Sequence, residues 1–246
     1  MFDSTWTLSE VDKLNLRSIE LNKTYHTLIP SRFPTVDVFA RIANDRSVEV
    51  AEVETITNPR LKERRRLLSG ASVVDVDDPR IQNWNHAPFT YFNPTGTRFF
   101  GPERPALEMA EDMQTALIIS VGKREAFLSR TCEDQIGIEM RVLSRMVKGR
   151  FVDATDWDPN LDQLERRSRG DRIAEAGFDG LVFRPSERPC GKCVSVLRGG
   201  SLDRAMQGDH FKFVWNGTRV ETLYSFSSGR AFTPDDLRSE NDVLAA

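Results

Sequence analysis

Cys190 and Cys193 form a CxxC motif, a spacing that in other proteins binds a metal ion or exchanges disulfides. A structural zinc site needs four ligands, however, and no second CxxC or histidine cluster accompanies this pair. His26, His86 and His210 are scattered along the sequence and form no motif. We therefore expect no metal site, and we interpret Cys190 as a loop residue and Cys193 as a strand residue.

Three polar residues occur in unusual settings. Arg32 lies between Pro30 and Pro34, which restrict the backbone to an extended conformation. Arg98 precedes two phenylalanines in the run TRFF, and Ser186 lies in the loop RPSERP. Each has an ordinary structural explanation, because arginine side chains pack on aromatic rings and serine beside proline favours turns. Taken singly, none of the three predicts a function.

Common nucleotide-binding and hydrolase motifs are absent from the sequence. It contains no GxGxxG, no GxxxxGK followed by serine or threonine, no GxSxG and no HExxH. The basic run at residues 64–66 lies among acidic residues, and we interpret it as solvated surface and not as a nucleic-acid patch.

The composition is typical of a globular protein, with 39% hydrophobic and 29% charged residues among 246. A net charge of -3 and a pI of about 5.8 predict no direct binding to nucleic acid or to an anionic membrane. The N-terminus has no basic start followed by an apolar run, and no stretch approaches the roughly 18 consecutive apolar residues of a membrane helix. We therefore expect a soluble, cytoplasmic protein whose three cysteines are reduced.

The stretch TALIISVGKREAFL at residues 115–128 is the strongest candidate helix. Met109, Met113, Leu117 and Val121 recur every four residues, which is the spacing of a helix face. The run ALIISV alone would fit a buried strand, but its flanks are good helix formers and favour the helix.

The segments downstream predict mainly strands. IGIEMRVL alternates as a strand, GLVF and KCVSVL are short apolar strands, and NLDQLERRSRGDRIAEAGF predicts a polar helix that ends before Gly177. HFKFVWNGTRVETLYSF predicts a hairpin that turns at Asn216 and Gly217. Together these segments predict an α+β fold with a β-rich core and peripheral helices.

The domain boundaries follow from the same patterning. Residues 1–23 are polar and weakly patterned, and we interpret them as an N-terminal extension. Residues 24–226 form the predicted domain. Residues 227–246 are polar and acidic with no apolar face, so we expect a disordered tail.

Four ordered segments of the predicted domain resemble the RES domain family, which is named for an arginine, a glutamate and a serine. IPSRFPTVDVFARIA is similar to the opening of its longer members, and NPTGTRFFGPERPALEMAEDMQTALIISVGKREAFL is similar to its central arginine-to-helix segment. AGFDGLVFRPSERPCGKCVSVLRGGSL resembles the serine segment, and GDHFKFVWNGTRVETLY resembles the closing hairpin. The resemblance covers most of the chain.

This resemblance implies a fold similar to ADP-ribosyltransferase toxins, with a cleft that binds NAD. It also implies a toxin that degrades NAD by hydrolysis or phosphorolysis and is held inactive by a partner antitoxin of the Xre type. NAD would be the substrate or ligand, with no separate cofactor. Cleavage of the nicotinamide–ribose bond builds positive charge on the ribose, which a neighbouring carboxylate stabilises in the transition state.

Three family positions carry over to this sequence. Arg32 matches the first family arginine and Arg98 the arginine of the central segment, and both suit the pyrophosphate of NAD through charge-assisted hydrogen bonds. Ser186 matches the motif serine, whose hydroxyl would orient a ribose hydroxyl.

The sequence departs from the family pattern at two positions. Ile119 stands where the motif glutamate belongs, and the tyrosine usually found before the helix falls at Leu107 or Glu108. The candidate substitute carboxylates are Glu108, Glu111, Glu125 and Glu187. Because loss of one preorganised electrostatic group costs on the order of 100-fold to 1000-fold in rate, two interpretations remain open. The chain is an NAD-degrading enzyme with a substitute acid such as Glu108, or it is a catalytically lapsed homologue that acts as a binding or regulatory module.

Overall fold

The computed structural model describes residues 16–31, 46–58, 61–62, 78–91 and 93–244. Within these residues the fold is α+β, with strands and helices whose bounds are as follows. The strands are β1 (Ser18–Pro30), β2 (Leu107–Ala110), β3 (Gln135–Ala154), β4 (Gly180–Phe183), β5 (Cys193–Val196), β6 (Met206–Asn216), β7 (Val220–Ser225) and β8 (Ala231–Phe232). The helices are α1 (Ser47–Thr57), α2 (Asn83–Thr90), α3 (Met113–Leu128), α4 (Gln163–Glu175) and α5 (Pro234–Arg238), with short 3-10 turns at Pro79–Ile81 and Gly199–Ser201. The predicted β-rich core with peripheral helices is confirmed.

All eight strands belong to one sheet whose first five members form a closed ring of neighbours. The long strands β1 and β3 pair antiparallel along the whole of β1, and β3 then pairs parallel with β4. Strand β4 pairs with β5 and β5 with β2, and β2 returns to β1 through the single register pair of His26 and Ala110. Strands β6, β7 and β8 extend the sheet from the first half of β3.

Helix α3 packs against two hydrophobic clusters, and these contacts determine which of its side chains face each neighbour. Its Leu117 and Val121 are fully buried and pack with Phe213 of β6. Its Ala116 and Ile119 contact a second cluster that includes Phe99. The helix therefore turns Ile119 away from the β6 side, toward the segment that carries Arg98.

The helix predicted at residues 115–128 is confirmed, but the apolar stripe that we extended back to Met109 is not one continuous helix. Met109 and Ala110 belong to β2, which pairs with β5. Asp112 ends that segment because its carboxylate accepts the hydrogen bond of Thr115 N at 2.8 Å and caps α3. The four-residue spacing between Met109 and Met113 therefore spans a strand and a helix.

The other predicted elements also occur. The strands at GLVF and KCVSVL are β4 and β5, IGIEMRVL lies within β3, and the polar helix is α4. The hairpin turn follows from Asn216, whose Oδ1 accepts from Thr218 N and Arg219 N at 3.0 Å, and from Gly217 at φ +94°. Glycine adopts this positive φ without the steric cost that other residues meet.

Strand β8 and the residues after it (233–244, the C-terminal segment) pack against the rest of the fold. Our prediction of a disordered tail at residues 227–246 is therefore wrong. Strand β8 pairs with β7, and Thr233 forms a reciprocal capping box with Asp236 at the start of α5. Leu237 is fully buried in the cluster that also contains Leu117. The sequence did not predict this anchoring, because its apolar residues Phe232, Leu237, Val243 and Leu244 follow neither a helical nor a strand spacing and the other contacts are to backbone groups.

Gln114 is the main polar anchor of the C-terminal segment. It is 3% exposed, and its Oε1 accepts from Val243 N at 3.0 Å. Its Nε2 lies 3.0 to 3.1 Å from the backbone carbonyl oxygens of Leu237, Ser239 and Asn241. At the other end of the chain, β1 begins at Ser18, so residues 18–23 belong to the sheet and not to a separate extension.

Candidate functional site

A narrow cleft lies where β1, β2 and the first residues of β5 face α3 and the segment before β2. Its cavity volume is about 50 Å³, enough for a few water molecules. The polar and apolar residues that matter for its chemistry are His26, Arg98, Glu108, Ile119, Lys123 and Cys193. These side chains come from five segments of the chain and line one concave surface.

The backbone beside Arg98 is held by tight packing against α4. Phe99 and Phe100, which follow Arg98, are 4% and 0% exposed. A Cβ atom at Gly170 of α4 would lie 2.0 Å from the carbonyl oxygen of Phe99, so only glycine allows this approach. The guanidinium of Arg98 also lies 5.4 Å from the centroid of the Phe183 ring, within cation–π range.

Arg98 and Ser186, both predicted from the sequence, lie close together. The Nη2 of Arg98 donates to both carboxylate oxygens of Glu187 at 2.7 and 2.9 Å, and its Nη1 lies 3.4 Å from Ser186 Oγ. Burial lowers the pKa of Arg98, but the carboxylates of Glu187 and Glu108 outweigh it and the net shift is upward. Arg98 therefore keeps its charge, and Ser186 and Glu187 form a polar cluster with it at the edge of the cleft.

Glu108 lies inside the cleft, on the same face of β2 as Ala110. Its Oε1 accepts from the backbone N–H of Arg98 at 2.9 Å, and its Oε2 lies 3.3 Å from Lys123 Nζ. Burial raises the pKa of Glu108, but Lys123 and Arg98 outweigh it, so the pKa is lower than the ordinary value for a glutamate. The cleft thus contains an ionised carboxylate at neutral pH.

Two of the four candidate carboxylates point elsewhere. Glu111 forms an ion pair with Lys23, and Glu125 accepts from the backbone N–H of Val220 at 2.8 Å. Glu187 is bound to Arg98 at the cleft edge. Glu108 is therefore the carboxylate among the four that lines the cleft itself.

The two positions that depart from the family pattern are placed differently. Ile119 lines the cleft, one helical turn before Lys123. Leu107 packs on the other side of β2, against the cluster that contains Tyr25 and Met109. Of the two positions aligned with the family tyrosine, Glu108 is thus the one that faces the cleft.

His26 and Cys193 complete the inner wall and were not predicted as site residues. Burial lowers the pKa of His26 despite the opposing effect of Asp112, and its Nδ1 lies 2.7 Å from Ser144 Oγ. Burial also raises the pKa of the Cys193 thiol far above its ordinary value, so the thiol is protonated and unreactive. Both residues give the wall neutral polar groups.

Lys123 could have been anticipated from the sequence. It follows Ile119 by four residues on a predicted helix, so the two side chains must share one face. The inward direction of His26 carries no comparable signal, since β1 has few fully buried positions and no strict alternation.

The remaining predictions about binding groups are placed as follows. Arg32 lies outside the described residues. Within the part of the chain that the structure describes, no group of three or more histidine, cysteine or carboxylate side chains is arranged to bind a metal ion. Cys190 is exposed and Cys193 buried, and both are free thiols. Among the described helices, none combines the length and apolar character needed to cross a bilayer.

The fold and the site define an α+β protein with a mixed-charge cleft in which an arginine, a lysine and a carboxylate face one another. A family model for the RES domain matches residues 74–216, more than half of the chain. The chain belongs to the RES domain family, as the four sequence segments predicted.

The chain is also similar to one further protein and aligns weakly with one solved structure. It is 45% identical over 229 residues to an uncharacterized protein, y4oC, of Sinorhizobium fredii (strain NBRC 101917 / NGR234), and the match covers 92% of this chain and 98% of that protein. It also aligns with a chain of the crystal structure of the M. tuberculosis MbcT-MbcA toxin-antitoxin complex, with a TM-score of 0.38 and 11% identity. That alignment covers 78% of this chain and 86% of the other, and its similarity is too low to carry an argument.

Proposed function

We propose that this toxin-like RES domain protein binds NAD in the cleft and cleaves its nicotinamide–ribose bond, by hydrolysis or phosphorolysis. The observation that carries the proposal is the ionised carboxylate of Glu108 beside Arg98, in a cleft whose motif glutamate position holds Ile119. Glu108 would thus supply the negative charge from the strand instead of from the helix.

The chemistry requires a cation, a hydroxyl and a carboxylate, and the cleft and its edge contain all three. Arg98 presents a planar cation that suits the pyrophosphate of NAD, and the Ser186 hydroxyl can orient a ribose hydroxyl. Departure of nicotinamide leaves positive charge on the ribose, and an ionised Glu108 stabilises that charge more in the transition state than in the ground state. Because the carboxylate is already deprotonated, its role is electrostatic and not that of a general acid.

Because the cavity is narrow, NAD can enter only if the Lys123 side chain moves. A dinucleotide is much larger than the space available, so the Lys123 side chain, which is 53% exposed, must swing outward when the ligand enters. The Lys123 ammonium is already half exposed, so it can turn into solvent and leave Arg98 as the cation beside the buried Glu108 carboxylate.

The first test is an NAD titration of the wild type by calorimetry, beside Arg98→Lys and the control Arg130→Lys. The lysine at position 98 keeps the charge but loses the two-pronged geometry, so NAD affinity is expected to fall about tenfold, roughly the loss of one charge-assisted hydrogen bond. Arg130 is exposed beyond the end of α3, and its replacement should leave affinity unchanged. Equal affinities for all three proteins would contradict binding of NAD by Arg98.

A second candidate function is a catalytically lapsed RES protein that keeps the cleft for binding or regulation. Ile119 favours it, because an apolar side chain occupies the part of the cleft wall where the motif glutamate belongs. The Lys123 ion pair favours it too, since it neutralises the remaining carboxylate. NAD binding without any nicotinamide release would select this function over the enzyme.

Family membership also supports a protein partner, which we propose to be an antitoxin of the Xre type. The test is co-expression of the chain with the product of a neighbouring gene that encodes a helix-turn-helix protein, followed by size-exclusion chromatography. A stable complex that suppresses nicotinamide release supports the partner. Separate elution at micromolar concentration contradicts it.

A further inference from the structure

Arg188, in the loop that follows β4, connects three parts of the molecule. It is 7% exposed, and its Nη1 donates to Asp112 Oδ1 at 3.2 Å and to Thr115 Oγ1 at 3.0 Å, at the start of α3. Its Nε donates to the carbonyl oxygen of Ser239 at 3.1 Å, and its Nη2 lies 3.5 Å from that of Glu240. One guanidinium thus ties its loop to both α3 and the C-terminal segment.

The same loop carries the polar cluster at the cleft edge. Glu187, the residue directly before Arg188, accepts two hydrogen bonds from Arg98, and Ser186 lies next to both. The loop is also compact, because Gly191 N donates to the carbonyl oxygen of Arg188 at 2.9 Å. A fixed Arg188 side chain therefore limits how far Glu187 can move from Arg98.

We propose that Arg188, through its hydrogen bonds to Asp112 and Thr115 at the start of α3, is a positioning residue that holds Ser186 and Glu187 against Arg98. The effect on NAD turnover rests on the proposed function, whereas the effect on the loop is independent of it. Arginine is required because its fork of donors reaches acceptors on two elements at once. The single ammonium of a lysine cannot span them.

Gln114 provides a matched control. Like Arg188 it is buried and joins α3 to the C-terminal segment, but among the described residues its side-chain hydrogen bonds are to that segment and none is to the Ser186 loop. Arg188 could in principle affect the loop only by stabilising the whole fold. In that case Gln114→Ala and Arg188→Lys would disturb the loop equally whenever they lower the thermal stability by the same amount.

The test compares the full-length wild type, Arg188→Lys and Gln114→Ala by hydrogen–deuterium exchange of the peptide at residues 184–191. We expect exchange of this peptide to rise about tenfold in Arg188→Lys, as for the loss of one hydrogen-bonded anchor, and to stay at the wild-type level in Gln114→Ala. Wild-type exchange in Arg188→Lys, or the same rise in both variants, overturns the proposal. If Arg188→Lys fails to fold, Thr115→Val, which removes one of its acceptors, should raise exchange of the same peptide, and no rise there overturns it as well.

A second experiment measures nicotinamide release by the same proteins. A displaced Arg98 is expected to lower kcat/KM for NAD about 10-fold to 100-fold in Arg188→Lys, since small errors in positioning have effects of this size. Gln114→Ala should keep the wild-type value within about twofold. If the wild type releases no nicotinamide, the proposed function fails while the exchange result still decides the role of Arg188.

Discussion

Replacing Glu108 with glutamine removes the charge of the cleft carboxylate while keeping its size. In the folded protein, Glu108 Oε1 accepts from Arg98 N at 2.9 Å and Oε2 lies 3.3 Å from Lys123 Nζ. The amide of Glu108→Gln can still accept the bond from Arg98. Its NH₂ group then faces the ammonium of Lys123, so the ion pair is lost and the cleft becomes more positive by one charge.

Glu108→Gln is expected to change kcat much more than it changes the free energy of unfolding. Removal of one preorganised group that stabilises transition-state charge lowers kcat by roughly 100-fold to 1000-fold. Loss of the ion pair with Lys123 costs about 1 kcal/mol in folding, because the buried glutamine carries no charge to desolvate and the Lys123 ammonium stays in contact with solvent. We therefore expect a large loss of rate with a shift in melting temperature of only a few degrees.

The assay is chromatographic measurement of nicotinamide released from NAD, with thermal melting recorded on the same samples. Glu111→Gln is the matched control, because Glu111 lies just after the same strand but pairs with Lys23 outside the cleft. Glu111→Gln should keep the wild-type rate. A wild-type rate in Glu108→Gln, or an equal loss of rate in both variants, would refute the electrostatic role of Glu108.

The same carboxylate sets the response to pH. Since the pKa of Glu108 is lowered in the folded protein, the group stays ionised from about pH 8 to about pH 5, above the ordinary glutamate value near 4.3. Its contribution to folding is present above the unfolded-state pKa and is lost as pH falls through the lower folded-state pKa. We expect kcat to show no loss attributable to this group across that range, measured by nicotinamide release. A rate that falls with a midpoint near pH 6 in wild type and becomes flat in Glu108→Gln would contradict the assignment.

Two further substitutions test the cleft, and a third tests a buried cation outside it. Ile119→Glu restores a carboxylate at the motif position, one turn before Lys123, and should raise nicotinamide release at least tenfold; an unchanged rate would show that a helix carboxylate is not what limits turnover. Lys123→Ala removes the ion pair with Glu108 and opens the cleft, so kcat/KM should rise about fivefold, equivalent to about 1 kcal/mol, and a fall would contradict the need for Lys123 to swing outward. Arg145 is 2% exposed, donates to the Trp84 carbonyl oxygen at 3.3 Å, and has burial lowering its pKa to about 10. Arg145→Met should therefore raise the free energy of unfolding in urea by about 1 to 3 kcal/mol, whereas a lower value would mean that the buried cation is stabilising.

Local patterns predicted several elements of the fold, of which α3 and β5 contribute side chains to the site. The helix at residues 115–128 has a helical apolar spacing, and the hairpin at Asn216 and Gly217 has its turn chemistry, so both can be predicted without tertiary context. The family resemblance also singled out Arg98 and Ser186 as site residues, and the fold brings Arg98 Nη1 within 3.4 Å of Ser186 Oγ.

The remaining features depend on contacts between distant segments. The register of β2 against β5 determines that Glu108 faces the cleft and that Leu107 faces the opposite side. No local pattern in the sequence specifies this register. The C-terminal segment folds because Leu237 is buried and Gln114 binds its backbone, and backbone acceptors leave no trace in the sequence. The buried position of Arg188 is likewise set by its acceptors on α3 and near Ser239.

The most direct test of NAD cleavage in this cleft is incubation of the purified wild-type chain with NAD, with and without inorganic phosphate. Nicotinamide is quantified over time, beside Glu108→Gln and a protein-free control. The proposed function predicts slow release above the control, and release that Glu108→Gln lowers by about 100-fold or more. Release no faster than in buffer, in both the presence and the absence of phosphate, would contradict it.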